Sequence, residues 1–501
     1  MTASGSHTDP AASGLPIVRG ARTHFVGIGG AGMSGIARVL LARGCAVSGS
    51  DLRESETTRR LRAAGAVVYI GHAASNVEGA QIVIVSRAVA DENVEVRVAV
   101  ARGLPIVHRA RMLAELMRDR DAIAVVGTHG KTTTTAMLGA ILARAGRDPT
   151  VLVGGDVAAF GGTARVGDGR DVVAEVDESD GSLVWVAPSI AVVTPLDATD
   201  HLDFYGSEAR LMETFRRFLA AVPASGFAAV CTDAPAGRAL ARDAGSRTVT
   251  YGLDGDPAYR GRVLEAAGHR TVVEAQRGDA VVGRIELAVP GAYNAQNAIG
   301  ALAVATELGI PQDVTAGALA AFEGVARRFS VRGDVDGVLV VDDYAHNPTK
   351  VAALLAAARR GWPAARIVAV FQPHRFTRTQ TVGHQFARVF DPVDEVIVTE
   401  IYAADEPPIP GVNAGIIVRA VSAHRPVRFV PDLGDAAALV AAEARSGDLV
   451  LTIGAGDVWK VAEDVTARLR GRSAAPVLSL PGAERTAGPP AAPSGAEAPR
   501  G

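Results

Sequence analysis

Residues 123–146, IAVVGTHGKTTTTAMLGAILARAG, constrain this chain more than any other stretch. The run at 123–126 is short, β-branched and bounded by charge and glycine, which predicts a buried strand. Gly127, Thr128, His129, Gly130, Lys131 and Thr132 make a turn, and a helical pattern follows with Met137, Leu138, Ile141 and Leu142 on one side. Strand, glycine turn, Lys-Thr and helix form the context of a phosphate loop. In such a loop, backbone N–H groups and the positive helix end surround phosphate oxygens. Lys131 is then placed for the outer phosphates and the Thr132 hydroxyl for a magnesium ion. The loop is two residues shorter than the usual G-x-x-x-x-G-K-[ST], with Val125 where the first glycine would stand. That points to a subclass.

Composition adds weight to Lys131. Of 51 lysines and arginines, only Lys131, Lys350 and Lys460 are lysines. Where arginine is used almost everywhere, a lysine marks a place that needs a compact ammonium. The other bulk properties set limits. A length of 501 residues predicts about three domains. A formal net charge of -3 gives no basic field for nucleic acid. Cys45 and Cys231 lie far apart in apolar runs and form no metal or disulfide framework, which fits a reducing cytoplasm. No signal-peptide pattern opens the chain and no apolar stretch is long enough to span a membrane. Residues 1–20 read as a flexible start, and the Pro/Ala/Gly-rich residues 471–501 as a disordered tail.

Between these ends the sequence reads as three α/β domains. Residues 21–118 open with a strand, a Gly27/Gly29/Gly32 turn in G-x-G-x-x-G spacing, a helix from Met33, and a second strand ending in Asp51. This is a nucleotide-type βαβ unit with an acid where a ribose would lie. Such a loop can hold a dinucleotide or any other diphosphate. His72, Ser86, Arg87 and His108 follow at later strand ends, where open sheets bind ligands. The two histidines are equally readable as surface loop residues.

The second domain, 119–326, holds the phosphate loop and two acidic strand ends. One carries Glu175, Asp177, Glu178 and Asp180; the other carries Asp197, Asp200, His201 and Asp203. Acids beyond a strand in a phosphate-loop domain predict magnesium, and a histidine among carboxylates predicts a second divalent ion. Asn294 and Asn297 share a face near a helix start, either as caps or as amides for a base. The third domain, 327–470, follows an Arg327-Arg328 hinge. It crowds Asp342, Asp343, His346, Asn347 and Lys350 into one loop, and places His374, Arg375 and Arg378 after a strand, where arginines can fork onto a carboxylate or phosphate. The turn Gly454-Ala455-Gly456 before the last helix is readable as another anion seat.

Together HFVGIGGAGMSGIA, GTHGKTTT, EVDESDGS, DATDHLD, GAYNAQNA, DDYAHNP, FQPHRFTRT and GAGDVWK resemble the Mur ligase family, in family order from about residue 23 to 465. The resemblance implies a Rossmann-like UDP-sugar domain, a central ATPase with a mostly parallel sheet, and a Rossmann-like third domain that closes over the site. It implies that Gly29, Gly30, Ala31, Gly32, Met33, Ser34, Asp51, His72, Ser86 and Arg87 hold UDP-sugar rather than NAD. Gly127 to Thr133, with Asn297, Arg328 and Asp343, would hold ATP. Thr132, Glu178 and His201 would hold two magnesium ions, with manganese an acceptable substitute. His374, Arg375 and Arg378 would seat the amino acid, and Lys131, His201 and His346 would carry catalysis. The implied reaction joins L-alanine to the lactyl carboxylate of UDP-N-acetylmuramate through an acyl phosphate. The alternative is the recycling reaction that adds an L-Ala-γ-D-Glu-diaminopimelate tripeptide. A cytoplasmic monomer or weak homodimer is expected, with neither nucleic acid nor membrane as partner. Tyr293 and Asn347 stand where the family usually has histidine, and Val176 where alanine is usual, so neither histidine position carries an obligatory role here.

A phosphate loop with acidic magnesium ligands also serves nucleotide switches and transport motors. The glycine-rich domain upstream and a third domain dense in His, Asp and Arg argue against that reading. An NAD-dependent oxidoreductase would rest on Gly27 to Asp51 alone and would leave Lys131 and Glu178 idle.

Overall fold

The computed structural model describes residues 20–404 and 406–474. The expected flexible start therefore lies, but for its last residue, outside the described residues, as does the expected tail from 475 onward. The last helix, Trp459–Ala474, carries order four residues past the expected end at 470.

Three sheets organise the chain. The first is wholly parallel, with Arg22–Val26 at its centre, flanked by Ala46–Asp51 and Val67–Ile70 on one side and by Ile82–Val85 and Ile106–His108 on the other. Its central strands, Arg22–Val26 and Ile82–Val85, are buried on both faces, as βαβ crossovers require, whereas the edge strand Val67–Ile70 is largely exposed. All five carboxyl ends point to one edge, which collects the glycine turn, Asp51, His72, Ser86 and His108.

The second sheet has ten strands. Asp121–Val126, which feeds the phosphate loop, lies between Asp171–Glu175 and Ile190–Val193, both parallel to it. Parallel register sets the carboxyl ends of all three side by side, so both acidic loops flank the phosphate loop. Tyr259–Ala267, Arg270–Arg277 and Ala280–Leu287 extend the far edge as an antiparallel meander. Two helices, Lys131–Arg144 and Ala292–Glu307, pack together on one face through Met137, Leu138, Ile141, Ala298, Ile299 and Leu302, all buried.

The third sheet has six strands in a largely parallel order, with Val338–Asp343 beside Asp448–Ile453 and Arg366–Phe371. Its hinge is backbone in the left-handed region, with φ of 61° at Arg327 and 49° at Phe329. Such angles cost a non-glycine residue on the order of 1 kcal/mol or more. Here they are held by Arg327, which ion-pairs with Asp342 at 3.1 Å and donates to the Gly454 carbonyl at 2.7 Å. The Gly454–Gly456 turn is thereby occupied by protein. Gly454 serves Arg327 and Asp343, and a Cβ on Gly456 would lie 2.4 Å from Tyr402. Close packing requires both glycines.

Candidate active site

The phosphate loop is shaped by two close approaches. Gly127 has φ of 123°, and a Cβ there would lie 2.4 Å from Thr194 Oγ1. Gly130 has φ of 80° as N-cap of the helix Lys131–Arg144, and a Cβ there would lie 2.2 Å from Asn297 Oδ1. Glycine at 130 thus brings the Asn297 amide against the loop, and Thr134 Oγ1 also donates to its oxygen at 3.3 Å. Thr128 fixes the rest: its N–H and hydroxyl donate to the Pro195 carbonyl, and its Oγ1 accepts from the Asp197 N–H at 2.8 Å. The opening N–H groups of the helix have no partner within the helix and face the loop.

Lys131 Nζ donates to the Gly127 carbonyl at 2.6 Å and to Glu178 Oε1 at 2.8 Å. Burial opposes its charge, but Glu178, Glu175 and Asp177 outweigh that and raise its pKa. His201, at φ 58°, brings Nε2 within 3.4 Å of the same Glu178 oxygen and 3.9 Å of Asp200. Burial lowers its pKa, yet the two carboxylates prevail and raise it.

A cavity of about 250 Å³ opens beside this cluster. Thr128, His129, Gly130, Lys131, Thr132 and Thr133 line one wall, with Asn297. Arg328, Asp343, Lys350 and Leu354 from the third domain line the other. Nearly every residue expected around ATP therefore borders one space, Gly127 shaping it from behind. Asp343 is 7% exposed and accepts from the Phe329 and Ala345 N–H groups, both at 2.7 Å, so it holds the hinge and the loop together. Lys350 lies 4.0 Å from Asp200 across the domain boundary. Burial chiefly, then Lys131 and Arg328, pull its pKa down to about 8 against the pull of Asp200. Asn347 caps the helix Pro348–Gly361 by accepting from the Lys350 N–H at 2.8 Å.

His346 and His374 lie with ring centroids 5.5 Å apart. His346 Nδ1 donates to the Tyr344 carbonyl at 2.8 Å, so its lone pair is on Nε2. Burial, with Arg378 and Lys350 nearby, holds its pKa well below the usual value and keeps it neutral. Arg378 donates to His374 Nδ1 at 2.7 Å. Arg375 is half exposed and turned toward Glu406, 3.9 Å away. The third domain thus presents Arg378 and His374 together, and Arg375 apart from them.

At the first sheet's edge, Gly30 caps the helix Ala31–Ala42 and the Gly29 N–H donates to Asp51 Oδ2 at 2.9 Å. Asp51 therefore braces the glycine turn. Met33 is in the core, and Ser34 shares a 3.0 Å hydrogen bond with Thr163 of the second domain, so both side chains pack rather than open outward. Arg87 lies 4.6 Å over the ring of Phe204, in the short helix that follows His201. Arg109 pairs with Asp177 at 2.7 Å, and His108 Nε2 lies 3.6 Å from Asp180. Three acids of the 175–180 loop are thus committed to protein, Glu175 to the Gly154 N–H at 2.7 Å.

The chain matches the family models described as Mur ligase family, catalytic domain, over residues 22–121; Mur ligase middle domain, over 125–305; and Mur ligase, glutamate ligase domain, over 327–456. It is 48% identical over 453 residues to a UDP-N-acetylmuramate–L-alanine ligase of Anaeromyxobacter dehalogenans, covering 90% of this chain and 98% of that one. A protein of the same name from Sorangium cellulosum is 46% identical over 454 residues, covering 90% and 97%. The chain belongs to the Mur ligase family. Among solved structures, UDP-N-acetylmuramate–alanine ligase of Thermotoga maritima superposes with a TM-score of 0.79 at 29% identity, covering 90% of this chain and 99% of that one. A murein peptide ligase of Psychrobacter arcticus shares the fold with a TM-score of 0.67 at 24% identity.

A Mur ligase handles phosphate with magnesium, and one atom here fits that ion. Glu178 is 1% exposed, and its Oε2 is buried without a hydrogen-bond partner. Leaving a buried carboxylate oxygen unpaired is costly, and a divalent ion repays it. Thr132 stands at the start of the neighbouring helix and His201 Nε2 on the other side. Among the described residues no group of three His, Cys, Asp or Glu side chains forms a ready cage. Of the acids on the two loops, Glu175 bonds the Gly154 N–H, Asp177 pairs with Arg109, Asp180 accepts from the Ser182 N–H and Asp197 closes a turn on Thr199.

Sequence reading missed three contributors. Tyr344 carries Arg327 and Arg328 over its ring, each 5.1 Å from the centroid. Arg109 gave no signal beyond its place after a strand. Glu95 is the third: it lies beside Val96 and Ala99 on the buried face of the helix Val94–Ala101. A lone acid on an apolar helix face was the available signal.

Proposed function

We propose that this Mur ligase joins L-alanine to the lactyl carboxylate of UDP-N-acetylmuramate, with ATP hydrolysed to ADP and phosphate. The observation that carries it is the cavity walled by Lys131 and Asn297 on one side and Arg328, Asp343 and Lys350 on the other. Identity of 46–48% across nearly the whole of relatives bearing that activity in their names selects the alanine reaction over its tripeptide counterpart.

The chemistry follows from a poor electrophile. A carboxylate does not react with an amine at neutral pH. Its oxygen first attacks the γ-phosphorus, ADP leaves, and an acyl phosphate results. The amine of alanine then attacks the carbonyl carbon, phosphate leaves, and the nitrogen loses a proton. Two anions must meet in the first step, so positive charge is the main requirement. Lys131 supplies it at the outer phosphates, Arg328 and Lys350 from the third domain. Thr132, Glu178 and His201 would hold magnesium, as two ions or with manganese in its place, and it would supply further neutralisation of phosphate charge. Neutral His346 offers an acceptor at Nε2 near the reaction centre. Arg378, with His374, seats the amino acid's carboxylate, and Arg375 joins them on closure. Third-domain closure excludes water from the acyl phosphate.

UDP-sugar binds at the first sheet's edge through the Gly29–Gly32 turn, Asp51, His72, Ser86 and Arg87. Because Arg87 reaches Phe204, that ligand runs toward His201. No helix among the described residues is long and apolar enough to cross a membrane. Nucleotide substrates, with Cys45 and Cys231 buried and in no disulfide, favour the cytoplasm, and the proposal includes a monomer or weak dimer. Incubation with ATP, magnesium, UDP-N-acetylmuramate and L-alanine tests the reading: ADP and phosphate appear only when both substrates are present. Equal release without them overturns it.

A further inference from the structure

Glu95 is completely buried, yet it is surrounded by donors rather than by a cation. Its Oε2 accepts from Ser50 Oγ at 2.5 Å, with His72 Nδ1 at 3.3 Å and His24 Nε2 at 3.4 Å. Its Oε1 accepts from Asn76 Nδ2 at 2.6 Å and from the Ala73 N–H at 3.2 Å. Burial would raise its pKa, but the bonds from His24, Ser50 and Asn76 overcome that and hold it at about 2. The carboxylate is therefore an acceptor only.

That fixes the neighbouring protons. Ser50 has one hydroxyl hydrogen, and it goes to Glu95. Toward His72 Nδ1, 2.9 Å away, Ser50 Oγ can only accept. Nδ1 thus faces two acceptors and must carry the hydrogen. In a neutral imidazole the lone pair is then on Nε2. The ring's Nδ1 edge is turned inward, and the side chain is 20% exposed at the carboxyl edge of the sheet, next to Asp51 and one strand further from the glycine turn.

We infer that Glu95, with Ser50, is a positioning residue that fixes His72 as the Nδ1–H tautomer and so presents an Nε2 acceptor to a donor on the nucleotide end of the substrate, either uracil N3–H or a ribose hydroxyl. The inference rests on the reading of the first domain as the UDP-sugar site. A fixed tautomer gives selectivity: a ligand offering a lone pair there meets another lone pair, and a buried polar group goes unmatched.

The tautomer is measurable in the wild-type chain without ligand. In the full chain labelled with ¹⁵N-histidine, with His72 assigned by its loss in His72→Ala, Nδ1 should give the protonated and Nε2 the unprotonated ring signature. The reverse pattern overturns the inference. Calorimetric titration with UDP should then show Glu95→Gln binding about tenfold more weakly, with no further loss in a His72→Ala background. A similar loss in that background makes Glu95 merely structural and defeats the proposal. Ser50→Ala, which keeps the carboxylate but removes one of the two acceptors at Nδ1, covers a Glu95→Gln chain that fails to fold and should raise the share of the Nε2–H tautomer; an unchanged share would take Ser50 out of the device. CDP, 2′-deoxy-UDP and 3′-deoxy-UDP name the donor, since sensitivity to His72→Ala should vanish for one of them; persistence with all three overturns the acceptor role. A correct tautomer with no UDP binding would instead fault the UDP-sugar reading.

Discussion

Lys131 and Glu178 neutralise each other across 2.8 Å at the mouth of the phosphate loop. The proposed mechanism uses the ammonium at the outer phosphates and the carboxylate on a metal ion, and this pairing keeps both charges stable at one point. Removing either partner strands the other. Lys131→Ala should lower kcat/KM by at least a hundredfold to a thousandfold, the loss expected for one preorganised charge contact. Lys131→Arg should fail largely too, because a planar fork cannot occupy the point between the Gly127 carbonyl and Glu178. Steady-state kinetics with circular dichroism on each variant checks this; near-normal turnover in Lys131→Ala removes the central claim.

Glu178 Oε2 has no protein partner. Chelation of magnesium should stop ligation, and Glu178→Gln should raise the magnesium concentration needed for half-maximal rate by tenfold or more, as loss of a metal ligand does. Magnesium titration of the two proteins decides it. An unchanged requirement would move the ion elsewhere.

Gly130 and Gly146 separate strain from contact. Their φ values are 80° and 75°, but a Cβ meets Asn297 Oδ1 at 2.2 Å at Gly130 and nothing within 4 Å at Gly146. Alanine at either position should cost about 1–2 kcal/mol of stability for left-handed backbone. Only Gly130→Ala should also raise the KM for ATP, because it displaces the Asn297 amide. Matched melting curves and ATP titrations check the pair; equal KM effects would reduce Gly130 to a backbone requirement.

The fold was readable where residue type and spacing act locally. Lys131 follows a glycine turn at a strand end, and that alone placed the ATPase. The glycine turn before Met33 placed the first domain in the same way. What the sequence hid is pairing across distance. Four acids within six residues read as one cluster, and their partners Gly154, Arg109, Lys131 and His108 come from other segments, which no local pattern shows. Glu95 was hidden for the same reason, since its donors arrive from Ser50, His72, Asn76 and His24. Asn347, without an assigned role by resemblance, proved to be a helix cap, which needs only its local N–H partner.

Glu95 also makes stability depend on acid. Its pKa in the fold, about 2, lies below the ordinary 4.5. A depressed carboxylate pKa contributes stability that is fully present above the unfolded value and is lost as pH falls through 4.5 toward 2. The contribution is on the order of 3 kcal/mol at neutral pH. The first domain of the wild-type protein should therefore lose protection steeply over that window. Glu95→Gln should be less stable at pH 7 and flatter below pH 4.5. Hydrogen exchange of the first sheet at several pH values reads this; parallel curves for the two proteins would show that the carboxylate carries no linkage.

Arg378 bears on which amine is used. It donates to His374 Nδ1 at 2.7 Å beside the neutral His346, whereas Arg375 is turned to Glu406. An arginine held by a neighbouring ring is preorganised to take a carboxylate. Free L-alanine offers a carboxylate on the same carbon as its attacking amine, and alaninamide does not. Alaninamide should therefore be a much poorer substrate, and Arg378→Ala should raise the KM for alanine while leaving that for ATP nearly unchanged. Glycine and L-serine should fall only modestly below alanine, because an apolar pocket separates one methylene by about 1–3 kcal/mol. The tripeptide L-Ala-γ-D-Glu-diaminopimelate places its nearest carboxylate beyond the reach of the same guanidinium, so it should be used least. Comparing kcat/KM across these five amines reads the seat and the specificity together: preference for the tripeptide would defeat the alanine assignment, and equal use of alaninamide would remove Arg378 from the seat.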